Sequence, residues 1–418
     1  MKIAITTLGC KVNQYESAEA AAKLRATAQL VDFNSFADIY IINTCAVTKE
    51  AERKSRRLIY RARRLNPLAK IVALGCYGEI AADKLKNSGV DLVVDNQKKP
   101  DLLKILFPDT EISASHSRDI VIRPDRTRAV VKIQDGCDQF CSYCLIPHLR
   151  SVLKSRKPSS VLREVDLLTK NNVQEVVLTG IHLGKYGIDI NSSALLSKLA
   201  RDLLESTNIA RIRFSSLEPT EVDEELISLM STTKRLAHHF HLPLQSGDSN
   251  ILKAMNRPYT ADEYQAKVEH IKSSIPNIAI TTDMIVGFPG ESEDQFTHTL
   301  NLAGKIGFSK IHVFKYSDRP LTPALSMPDK ISAPVKSERS LRLRKLGDRL
   351  AKDFAEKQIG RTLEVLVEKE SNHIRQGLSG NYLRINFKNL ESNHPFSGKI
   401  IKVKIDGINR DALYGEVV

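Results

Sequence analysis

The first hundred residues alternate short apolar runs with longer segments of helical spacing. The predicted strands are Lys2–Leu8, Ile39–Asn43, Lys70–Leu74 and Asp91–Val94, and the predicted helices are Ser17–Gln29, Thr48–Leu65 and Glu79–Asn87. The strand runs are rich in β-branched residues, and strands that alternate with helices are typical of a parallel sheet covered on both faces. This region is therefore predicted to be a doubly wound parallel sheet.

After a polar stretch with two prolines, Pro108 and Pro124, the alternation of strand and helix resumes. The predicted strands are Ala129–Gln134, Glu175–Gly180, Arg211–Ser215, His239–Leu244, Ala279–Val286 and Lys310–Tyr316. The predicted helices are Ser160–Asn171, Ala194–Glu205, Glu221–Met230, Thr260–Ser273 and Glu293–Lys305. Repeated βα units predict a partial (βα)6 barrel, whose chemistry collects at the carboxyl ends of the strands.

The tail has a different pattern. Leu343, Leu346, Leu350 and Phe354 recur at helical spacing within a predicted helix, Val335–Gln358. Short strands separated by glycine and asparagine follow, at Leu363–Val367, Tyr382–Phe387, Lys399–Ile405 and Leu413–Val417. This pattern predicts a small antiparallel β-barrel. The whole chain is thus expected to be an α/β protein with a domain at 1–112, a linker at 113–127, a core at 128–350 and a terminal barrel at 355–418.

Composition narrows the choice of partner and compartment. The 418 residues carry a net charge of +13, which favours a polyanionic partner such as nucleic acid. No apolar run is long enough to span a membrane. A disulfide framework is not expected for the six cysteines of so long a chain without a secretory signal, so the cytoplasm is the expected compartment.

Three of the cysteines form a compact array, C-x3-C-x2-C, directly after a predicted strand. They are Cys137, Cys141 and Cys144. Thiolates are soft ligands that suit zinc, copper(I) or iron–sulfur clusters. Zinc usually takes four ligands, and no fourth ligand lies nearby in the sequence. The array therefore predicts a four-iron cluster with one open iron; the alternative is three unliganded thiols.

The other three cysteines each follow a strand of the first domain. Cys10 follows Leu8-Gly9, Cys45 follows Asn43-Thr44, and Cys76 follows Leu74-Gly75. Because ligands of open parallel sheets sit outside the carboxyl ends of the strands, these side chains are expected to converge on one edge. Each cysteine alone is more often a small buried hydrophobe. Their shared position favours a second three-thiolate site.

Polar and glycine-rich segments follow the strands of the central barrel. The candidates for cofactor contacts are Tyr143 in the cysteine array and, at this rim, Gly180, Ser216, Glu218, Gln245 and Gly287. Glycine lets the backbone approach a ligand, and Glu218 and Gln245 could hydrogen-bond ribose or an amino group. Glycine after a strand also commonly makes only a turn. A set of histidines could pass for a metal site or orient other groups: His182, His238, His239 and His241; for His238 and His239 an ordinary core role is preferred.

Two basic segments are candidates for RNA contacts. The helix predicted at Thr48–Leu65 is crowded with cations, among them Arg53, Arg56, Arg57 and Arg61. The terminal barrel contributes Lys402 and Lys404. Such side chains contact phosphates, although a solvated surface or a barrel that only caps the core is the alternative.

The array with Tyr143 before its last cysteine resembles that of the radical S-adenosylmethionine (SAM) enzymes. The resemblance implies that the open iron binds S-adenosyl-L-methionine, which is cleaved by one electron to a 5′-deoxyadenosyl radical. A low-potential electron donor of the flavodoxin or ferredoxin type is then implied as a partner. The hard chemistry in such enzymes belongs to the cofactor, and the protein aims it.

Taken whole, the chain resembles the methylthiotransferases among these enzymes. The resemblance implies two [4Fe-4S] clusters, an auxiliary one on Cys10, Cys45 and Cys76 and a radical one on Cys137, Cys141 and Cys144, with a C-terminal TRAM domain that binds RNA. It implies a tRNA substrate, methylthiolated at the adenine C2 of residue 37 after the radical removes its hydrogen.

The segment Gly9-Cys10-Lys11-Val12-Asn13 is most similar to the branch that acts on N6-threonylcarbamoyladenosine. The isopentenyladenosine branch and the ribosomal-protein branch are the enzymatic alternatives, and a zinc-stabilised RNA-binding protein without activity is the third. Two positions depart from the family pattern: Leu321 stands where R-P-G-T-P has glycine, and Ser151 where glycine follows Arg150.

Overall fold

The computed structural model describes residues 1–109, 127–190, 195–370, 374–388, 396–409 and 412–418. Most of the predicted linker, 113–127, lies outside these ranges. Within them, no helix combines the length and the apolar character that crossing a lipid bilayer requires.

The first unit is a five-stranded parallel sheet with helices on both faces, as predicted. Its strands are β1 (Lys2–Thr7), β2 (Gln29–Val31), β3 (Ile39–Thr44), β4 (Lys70–Gly75) and β5 (Leu92–Val94), in the spatial order β2-β1-β3-β4-β5. Its helices are α1 (Lys11–Leu24), α2 (Lys49–Leu65), α3 (Cys76–Lys86) and α4 (Leu102–Leu106). Every residue of β3 is buried, which is why this strand reads as a continuous apolar run.

The sequence misplaced one part of this unit. A helix was predicted at Ser17–Gln29, but α1 begins at Lys11, directly after Cys10, and ends at Leu24. Gln29 instead starts β2, a three-residue edge strand that pairs with Lys2–Ala4 of β1. So short a strand, with a polar first residue, has too few apolar positions to show a period of two.

The described part of the central unit contains six parallel strands in two half-sheets and two further short strands that pair with each other. In chain order the eight strands are β6 (Arg128–Lys132), β7 (Gln134–Asp135), β8 (Lys154–Ser155), β9 (Glu175–Thr179), β10 (Arg211–Phe214), β11 (His239–His241), β12 (Ala279–Val286) and β13 (Lys310–Lys315). The half-sheets are β10-β9-β6 and β11-β12-β13, and bridges Ile212–Leu236 and Ser216–His241 join them. The six long strands therefore form the predicted partial barrel, and β7 and β8 form a separate hairpin.

The helices of this unit are α5 (Ile146–Leu149), α6 (Pro158–Lys170), α7 (Leu196–Ser206), α8 (Glu224–Thr232), α9 (Ser249–Ala254), α10 (Ala261–Ser274) and α11 (Glu293–Ile306). Most of them cover the outside of the barrel, whereas the short α5 packs against the first unit. Capping boxes at Thr260 and Ser292 fix the starts of α10 and α11 by satisfying backbone donors that a helix start leaves free. Apolar residues of strands and helices meet in one large core between the two layers.

The last unit is a closed five-stranded barrel that follows a long helix. Its elements are α12 (Ala333–Glu356), β14 (Thr362–Glu370), β15 (Ile374–Ser379), β16 (Arg384–Lys388), β17 (Ile400–Asn409) and β18 (Ala412–Val417). The barrel order is β14-β15-β16-β18-β17, and its pairings are antiparallel except for the parallel pair β16–β18. The sequence predicted four of these strands and missed β15, whose Arg375 and Gln376 hide its alternation.

Two buried arginines of the central barrel, Arg211 and Arg213, join it to the terminal barrel. Glu175 of β9 lies 3.2 Å from Arg211 and 2.8 Å from Arg213 of β10. Both arginines also donate to backbone oxygens of the terminal barrel, Arg213 to that of Ser379 at 3.0 Å. Tyr382 completes the contact by stacking on His239, with ring centres 4.3 Å apart. The guanidiniums thus satisfy carbonyl groups that docking would otherwise leave unpaired.

Candidate active site

The first set of cysteines lies at the carboxyl edge of the first sheet. Cys10 precedes α1 after β1, Cys45 follows β3, and Cys76 is the first residue of α3 after β4. Strands β1, β3 and β4 are neighbours in the sheet, so the structure brings these three residues to adjacent positions. The sequence predicted this convergence from the strand ends alone.

Close backbone approach shapes this site. Gly9 has φ +96°, and a Cβ at this residue would lie 3.1 Å from the Cys45 sulfur. Gly75 has φ +91°, and a Cβ there would lie 2.4 Å from the carbonyl oxygen of Thr44. Glycine is needed at both positions because a side chain would push the cysteine-bearing loops apart.

Burial opposes ionisation of two of these thiols. It raises the pKa of Cys10, and it raises the pKa of Cys45 to about 11, with the neighbouring Cys76 and Cys10 adding to that shift. A metal that displaces the thiol protons removes this penalty, because thiolate rather than thiol is the ligand form. These three sulfurs lie within electrostatic reach of one another, with Cys45 and Cys76 buried and Cys10 at an exposed position. They are a donor set that fits a soft metal centre or an iron–sulfur cluster.

The second set of cysteines occupies the loop after β7. The Cys137 amide donates to the Arg150 carbonyl at 2.9 Å, and the Cys144 amide donates to the Cys141 carbonyl at 2.9 Å. Backbone amides also point at the sulfurs, Gln139 to Cys137 and Ile146 to Cys144, each at 3.4 Å. Amide donors favour sulfur that carries negative charge. The loop is therefore arranged to hold a group with anionic sulfur ligands.

Two charged side chains border this loop. Arg257 donates to the Cys141 sulfur at 3.4 Å and also forms an ion pair with Glu218. His182 lies 3.3 Å from the Cys137 sulfur through Nδ1 and 2.6 Å from Glu221 through Nε2. Burial opposes protonation of His182, but Cys137 and Glu221 outweigh it and raise its pKa to about 10. Both cations offset negative charge that collects on the sulfurs.

The predicted cofactor residues divide into two groups. Tyr143 and Glu218 lie beside Arg257 and Cys141 at the second cysteine site. Gln245 pairs with Met284 of β12 and has φ +70°. The space beside the two glycines is filled by protein instead: a Cβ at Gly180 would lie 2.7 Å from the Gln134 side chain, and one at Gly287 2.4 Å from that of Lys336. Their cofactor contact remains a prediction, as does that of Ser216, which is exposed at the rim.

The predicted RNA-binding residues lie mostly on open surface. Arg53, Arg57 and Arg61 recur every fourth residue of α2 and are exposed, with Arg53 paired to Glu50. Lys402 and Lys404 are exposed on one face of β17. Arg56 differs, because its guanidinium donates to the Tyr77 hydroxyl at 2.8 Å and is partly buried.

The sequence did not reveal Arg257 or Glu221 as site residues. Arg257 lies in a loop and Glu221 ends the short 3-10 helix Pro219–Glu221. Both are distant from the cysteine motif in sequence, and only the closure of the barrel brings them to it. The histidines also separate: His182 reaches the cysteine loop, whereas His238 bonds to the Met230 carbonyl at 3.1 Å as a satisfied core residue.

One departure from the family pattern has a visible consequence. Leu321 adopts φ +65° with its side chain 62 % exposed, a conformation that suits glycine and strains leucine. The backbone of Ser151 does not adopt a positive φ, so serine fits there without strain.

Comparison with known proteins assigns the chain to a family. Residues 2–95 match the model described as Uncharacterized protein family UPF0004, and residues 131–303 match the Radical SAM superfamily. The threonylcarbamoyladenosine tRNA methylthiotransferase MtaB of Bacillus subtilis is 39 % identical, over 96 % of this chain and 93 % of its own length. The chain belongs to the methylthiotransferase family of radical SAM enzymes.

Other members of this methylthiotransferase family differ in the substrate that their names give. A protein of Aquifex aeolicus named for the same activity as that of Bacillus subtilis is 37 % identical over 97 % of this chain and its entire length (100 %). A tRNA-2-methylthio-N(6)-dimethylallyladenosine synthase of Syntrophobacter fumaroxidans is 35 % identical over 99 % of this chain and 95 % of its own. The family is shared by both, and the two names differ in the substituent at N6 of the adenine.

Solved structures support the fold. The radical S-adenosylmethionine methyltransferase TsrM of Kitasatospora setae matches with a TM-score of 0.59 at 12 % identity, over 78 % of this chain and 75 % of that one. The cobalamin-dependent S-adenosylmethionine radical enzyme OxsB matches with a TM-score of 0.51 at 12 % identity, over 83 % and 56 %. At this identity the likeness concerns the architecture alone.

Proposed function

We propose that this protein is a tRNA methylthiotransferase that inserts a methylthio group at C2 of N6-threonylcarbamoyladenosine at position 37, beside the anticodon. The observation that carries the proposal is near full-length similarity, at 39 % and 37 % identity, to two relatives named for this activity. Two cysteine sets in one chain support it, because the reaction has to activate an inert aromatic C–H bond and also deliver sulfur.

The proposal assigns a [4Fe-4S] cluster to each cysteine set, Cys10, Cys45 and Cys76 in one and Cys137, Cys141 and Cys144 in the other. When bound, the clusters and S-adenosyl-L-methionine supply the 5′-deoxyadenosyl radical and the methylthio group. The chain's own residues would position these groups: Arg257 and His182 lie beside the second set, and Glu218, which is ion-paired to Arg257, would accept a hydrogen bond from the methionine amino group of the cofactor.

In the same proposal each domain has a separate role. Residues 1–112 hold the auxiliary site, 128–350 form the radical SAM core, and 355–418 act as the TRAM domain that binds RNA, with a linker at 113–127. The exposed arginines of α2 and the lysines of β17 would contact tRNA phosphates, consistent with the net charge of +13. The reaction would take place in the cytoplasm.

A low-potential electron donor of the flavodoxin or ferredoxin type completes the proposal. The outer side of the second cysteine loop is open, with a cleft of about 360 Å³ lined by Phe140, Lys185 and Asn256 among others. Phe140 is 52 % exposed there. A donor seated on this cleft would come near the sulfurs of the second cysteine set.

Mass spectrometry of tRNA nucleosides tests the function. Deletion of the gene should abolish the 2-methylthio derivative of N6-threonylcarbamoyladenosine, and the intact gene should restore it. A gene with Cys45 and Cys141 both changed to alanine should not. If the derivative persists in the deletion strain with no second homologue present, the assignment fails.

The same assay distinguishes the second candidate, the isopentenyladenosine tRNA. That candidate is favoured by relatives such as the 35 % identical Syntrophobacter protein. Loss of the 2-methylthio-isopentenyl nucleoside, with the threonylcarbamoyl one unchanged, would select it.

A further inference from the structure

Three neighbouring strands of the central barrel bring two histidines and a carboxylate together in its interior. Met284 of β12 belongs to the core shared with the helices, so its neighbour Asp283 faces the other way, into the barrel. His312 of β13 lies opposite Asp283, and His241 of β11 lies opposite Thr281, two residues before Asp283 on the same face of β12. The pairing of parallel strands therefore sets the positions of all three groups.

The polar atoms of these side chains are close enough to share one cation. One nitrogen or oxygen of each of His241, Asp283 and His312 lies within 4.8 Å of the other two. His241 Nε2 and a carboxylate oxygen of Asp283 are 3.3 Å apart. Two ligands that each lie about 2.0–2.1 Å from a tetrahedral metal are about 3.3 Å apart, whereas a charge-assisted N–H···O bond is usually about 2.7–2.9 Å long. This spacing fits two ligands of one metal better than it fits a hydrogen bond.

The Asp283 carboxylate has little to balance its charge. Within the described part of the chain, no lysine or arginine forms an ion pair with it, and His241 is its only ion-pair contact. The side chain of Asp283 is 31 % exposed and that of His241 is 18 % exposed, so solvent and small ions reach both groups. A bound cation would compensate the carboxylate, which the surrounding protein does not do.

Thr281 holds the ring of His241 in place. Its hydroxyl oxygen lies 2.9 Å from His241 Nδ1. When Nδ1–H donates to this oxygen, the lone pair of Nε2 points toward Asp283, and two acceptors that face each other require a cation between them. Histidines that ligate metals usually donate their other N–H in this way, which fixes the ring and selects the nitrogen that binds the metal.

His312 offers the third ligand from the edge strand of its half-sheet. Among the described residues its ring has no hydrogen-bond partner, so neither nitrogen is engaged and the ring can turn. Its ring centre lies 5.8 Å from that of His241, and the two planes are inclined by 53°, so the rings are not stacked. A rotation of the His312 side chain would bring its nitrogen to the distance that a common metal requires.

We propose that His241, Asp283 and His312 bind a divalent metal ion of the zinc class inside the central barrel. Two imidazoles and one carboxylate suit zinc and its first-row neighbours, and the tetrahedral spacing favours zinc. Three protein ligands leave a coordination position open, as in catalytic zinc sites, whereas structural zinc sites are closed by four. The open position would hold water or an oxygen atom of a molecule bound in the barrel. This inference goes beyond the proposed function, because it involves none of the six cysteines and no RNA.

A proton between His241 and Asp283 is the competing occupant. In that arrangement the Thr281 hydroxyl donates to Nδ1, and Nε2–H donates to the carboxylate, so that no metal is needed. His312 has no part in such a pair. Only the metal site makes binding of a cation depend on His312 as well as on His241 and Asp283.

Zinc analysis of the holoprotein tests the site. The protein is reconstituted anaerobically so that both cysteine sets are occupied, is freed of excess iron and is then dialysed against micromolar zinc. It should retain about one zinc ion per chain in addition to the iron of the clusters. Zinc should displace iron(II) from this site, because nitrogen and oxygen ligands bind zinc more tightly. Failure to retain zinc would overturn the proposal.

X-ray absorption at the zinc edge identifies the ligands without any variant. Histidine and aspartate ligands give nitrogen and oxygen neighbours at about 2.0–2.2 Å, whereas cysteine sulfur lies at about 2.3 Å. We expect nitrogen and oxygen neighbours only. A sulfur neighbour would mean that the zinc occupies a cysteine set, and the proposed site would then be wrong.

Variants of the ligands provide the second test. Loss of a partner that only orients a ligand costs about 10–100-fold in metal affinity, so Thr281→Val should weaken zinc binding by about that factor. Asp283→Asn and His312→Ala, which remove ligands, should each weaken it by more than about 100-fold. The matched control is His270→Ala on α10, because His270 forms an exposed pair with Glu224 at 2.8 Å to which the described residues add no third ligand.

Iron content and 5′-deoxyadenosine formation without RNA are measured for every variant, to show that the clusters remain in place. Zinc affinity that is unchanged in Asp283→Asn and His312→Ala would overturn the site. Loss of affinity in Asp283→Asn alone, with His312→Ala unchanged, would also contradict it, because the proposal requires all three ligands.

Discussion

Glu16 and Arg150 join the two cysteine sites by a double hydrogen bond. The two terminal nitrogens of Arg150 donate to the two carboxylate oxygens of Glu16, at 2.8 and 3.0 Å. Glu16 lies in α1, which starts after Cys10, and the Arg150 carbonyl accepts the Cys137 amide. A single ion pair therefore connects the helix that begins at one site to the loop that carries the other.

The surroundings of this pair hold its charges in place. Lys99 and Lys132 also contact the Glu16 carboxylate, at 2.6 and 2.8 Å, and Asp135 contacts Arg150 at 2.8 Å. Burial alone would raise the pKa of Glu16, but Lys99 and Arg150 outweigh it and hold that pKa well below its usual value. The carboxylate thus stays charged at neutral pH, as the network requires.

Glu16→Gln should destabilise the protein and should affect tRNA methylthiolation and 5′-deoxyadenosine formation to different extents. Removing one partner of a buried ion pair costs about 3–5 kcal/mol because the remaining charges lose compensation. We expect a lower midpoint in anaerobic urea unfolding, and a larger loss of tRNA methylthiolation than of 5′-deoxyadenosine formation. Glu19→Gln, on the same helix in a partly exposed pair with Lys23, is the control and should change the midpoint little. Equal loss of both activities would contradict a role in relative positioning.

Removal of one cysteine from either site should halve the iron content. The reconstituted protein is expected to carry about eight iron atoms per chain, and Cys45→Ala or Cys141→Ala about four each. Cys45→Ala should still form 5′-deoxyadenosine with dithionite and S-adenosyl-L-methionine, whereas Cys141→Ala should not. Iron analysis and chromatography of the nucleoside check both, and zinc without iron in the unaltered protein would instead indicate a structural metal protein.

The sequence was sufficient for features carried by local periodicity and strand order. Cys10, Cys45 and Cys76 could be placed at one sheet edge because each follows a neighbouring parallel strand. It was insufficient for contacts that need the closed tertiary structure. Arg257 reaches Cys141 from 116 residues away, and nothing in its own loop marks it as a site residue.

Glycine positions show a second limit of sequence reasoning. Gly180 and Gly287 were predicted to contact the cofactor, and this stays a prediction; the space that a Cβ at either position would enter holds the side chain of Gln134 or Lys336. A glycine in a sequence indicates a close approach, yet it does not say whether the approaching group is a ligand or the protein's own side chain.

Glu218→Gln should weaken the use of S-adenosyl-L-methionine. Arg257 bridges Glu218 and the Cys141 sulfur, so loss of the carboxylate charge frees Arg257 and removes an acceptor for the cofactor's amino group. We expect the KM for S-adenosyl-L-methionine in 5′-deoxyadenosine formation to rise about 10-fold or more, the effect of losing a hydrogen bond to a charged group. Iron content should stay unchanged. Glu225→Gln, in an exposed pair on α8, is the matched control.

Arg57 and Arg61 should contribute to tRNA affinity through phosphates. Changing both to alanine should weaken binding of any tRNA, and should lower the slope of log affinity against log salt by up to about 2, roughly one for each phosphate that is no longer neutralised. The control is Lys198→Ala with Arg201→Ala, a double change of exposed cations on α7. Titrations at several salt concentrations measure the slopes, and equal slopes for the two double variants would remove α2 from the RNA surface.

Leu321→Gly should stabilise the protein slightly. Leu321 holds φ +65°, and a left-handed conformation costs a residue with a Cβ about 1–2 kcal/mol. Glycine removes that strain. It also increases the entropy of the unfolded chain, which lowers the free energy of unfolding by about 0.4–1 kcal/mol. Because the leucine side chain is largely exposed, its removal sacrifices little packing. The net expectation is therefore a gain of up to about 1 kcal/mol in the free energy of unfolding.

Leu325→Gly is the matched control for that substitution. Leu325 is also exposed, at 45 %, but it lies in the short helical turn Pro323–Leu325 and has no positive φ. Glycine there brings only the entropic cost, so the free energy of unfolding should fall by about 0.5–1 kcal/mol. The two sites lie on the same segment. Opposite changes in the free energy of unfolding, measured by anaerobic urea unfolding, would therefore show that the left-handed backbone of Leu321 is strained. A loss of stability in Leu321→Gly equal to that in Leu325→Gly would mean that the left-handed leucine carries no strain.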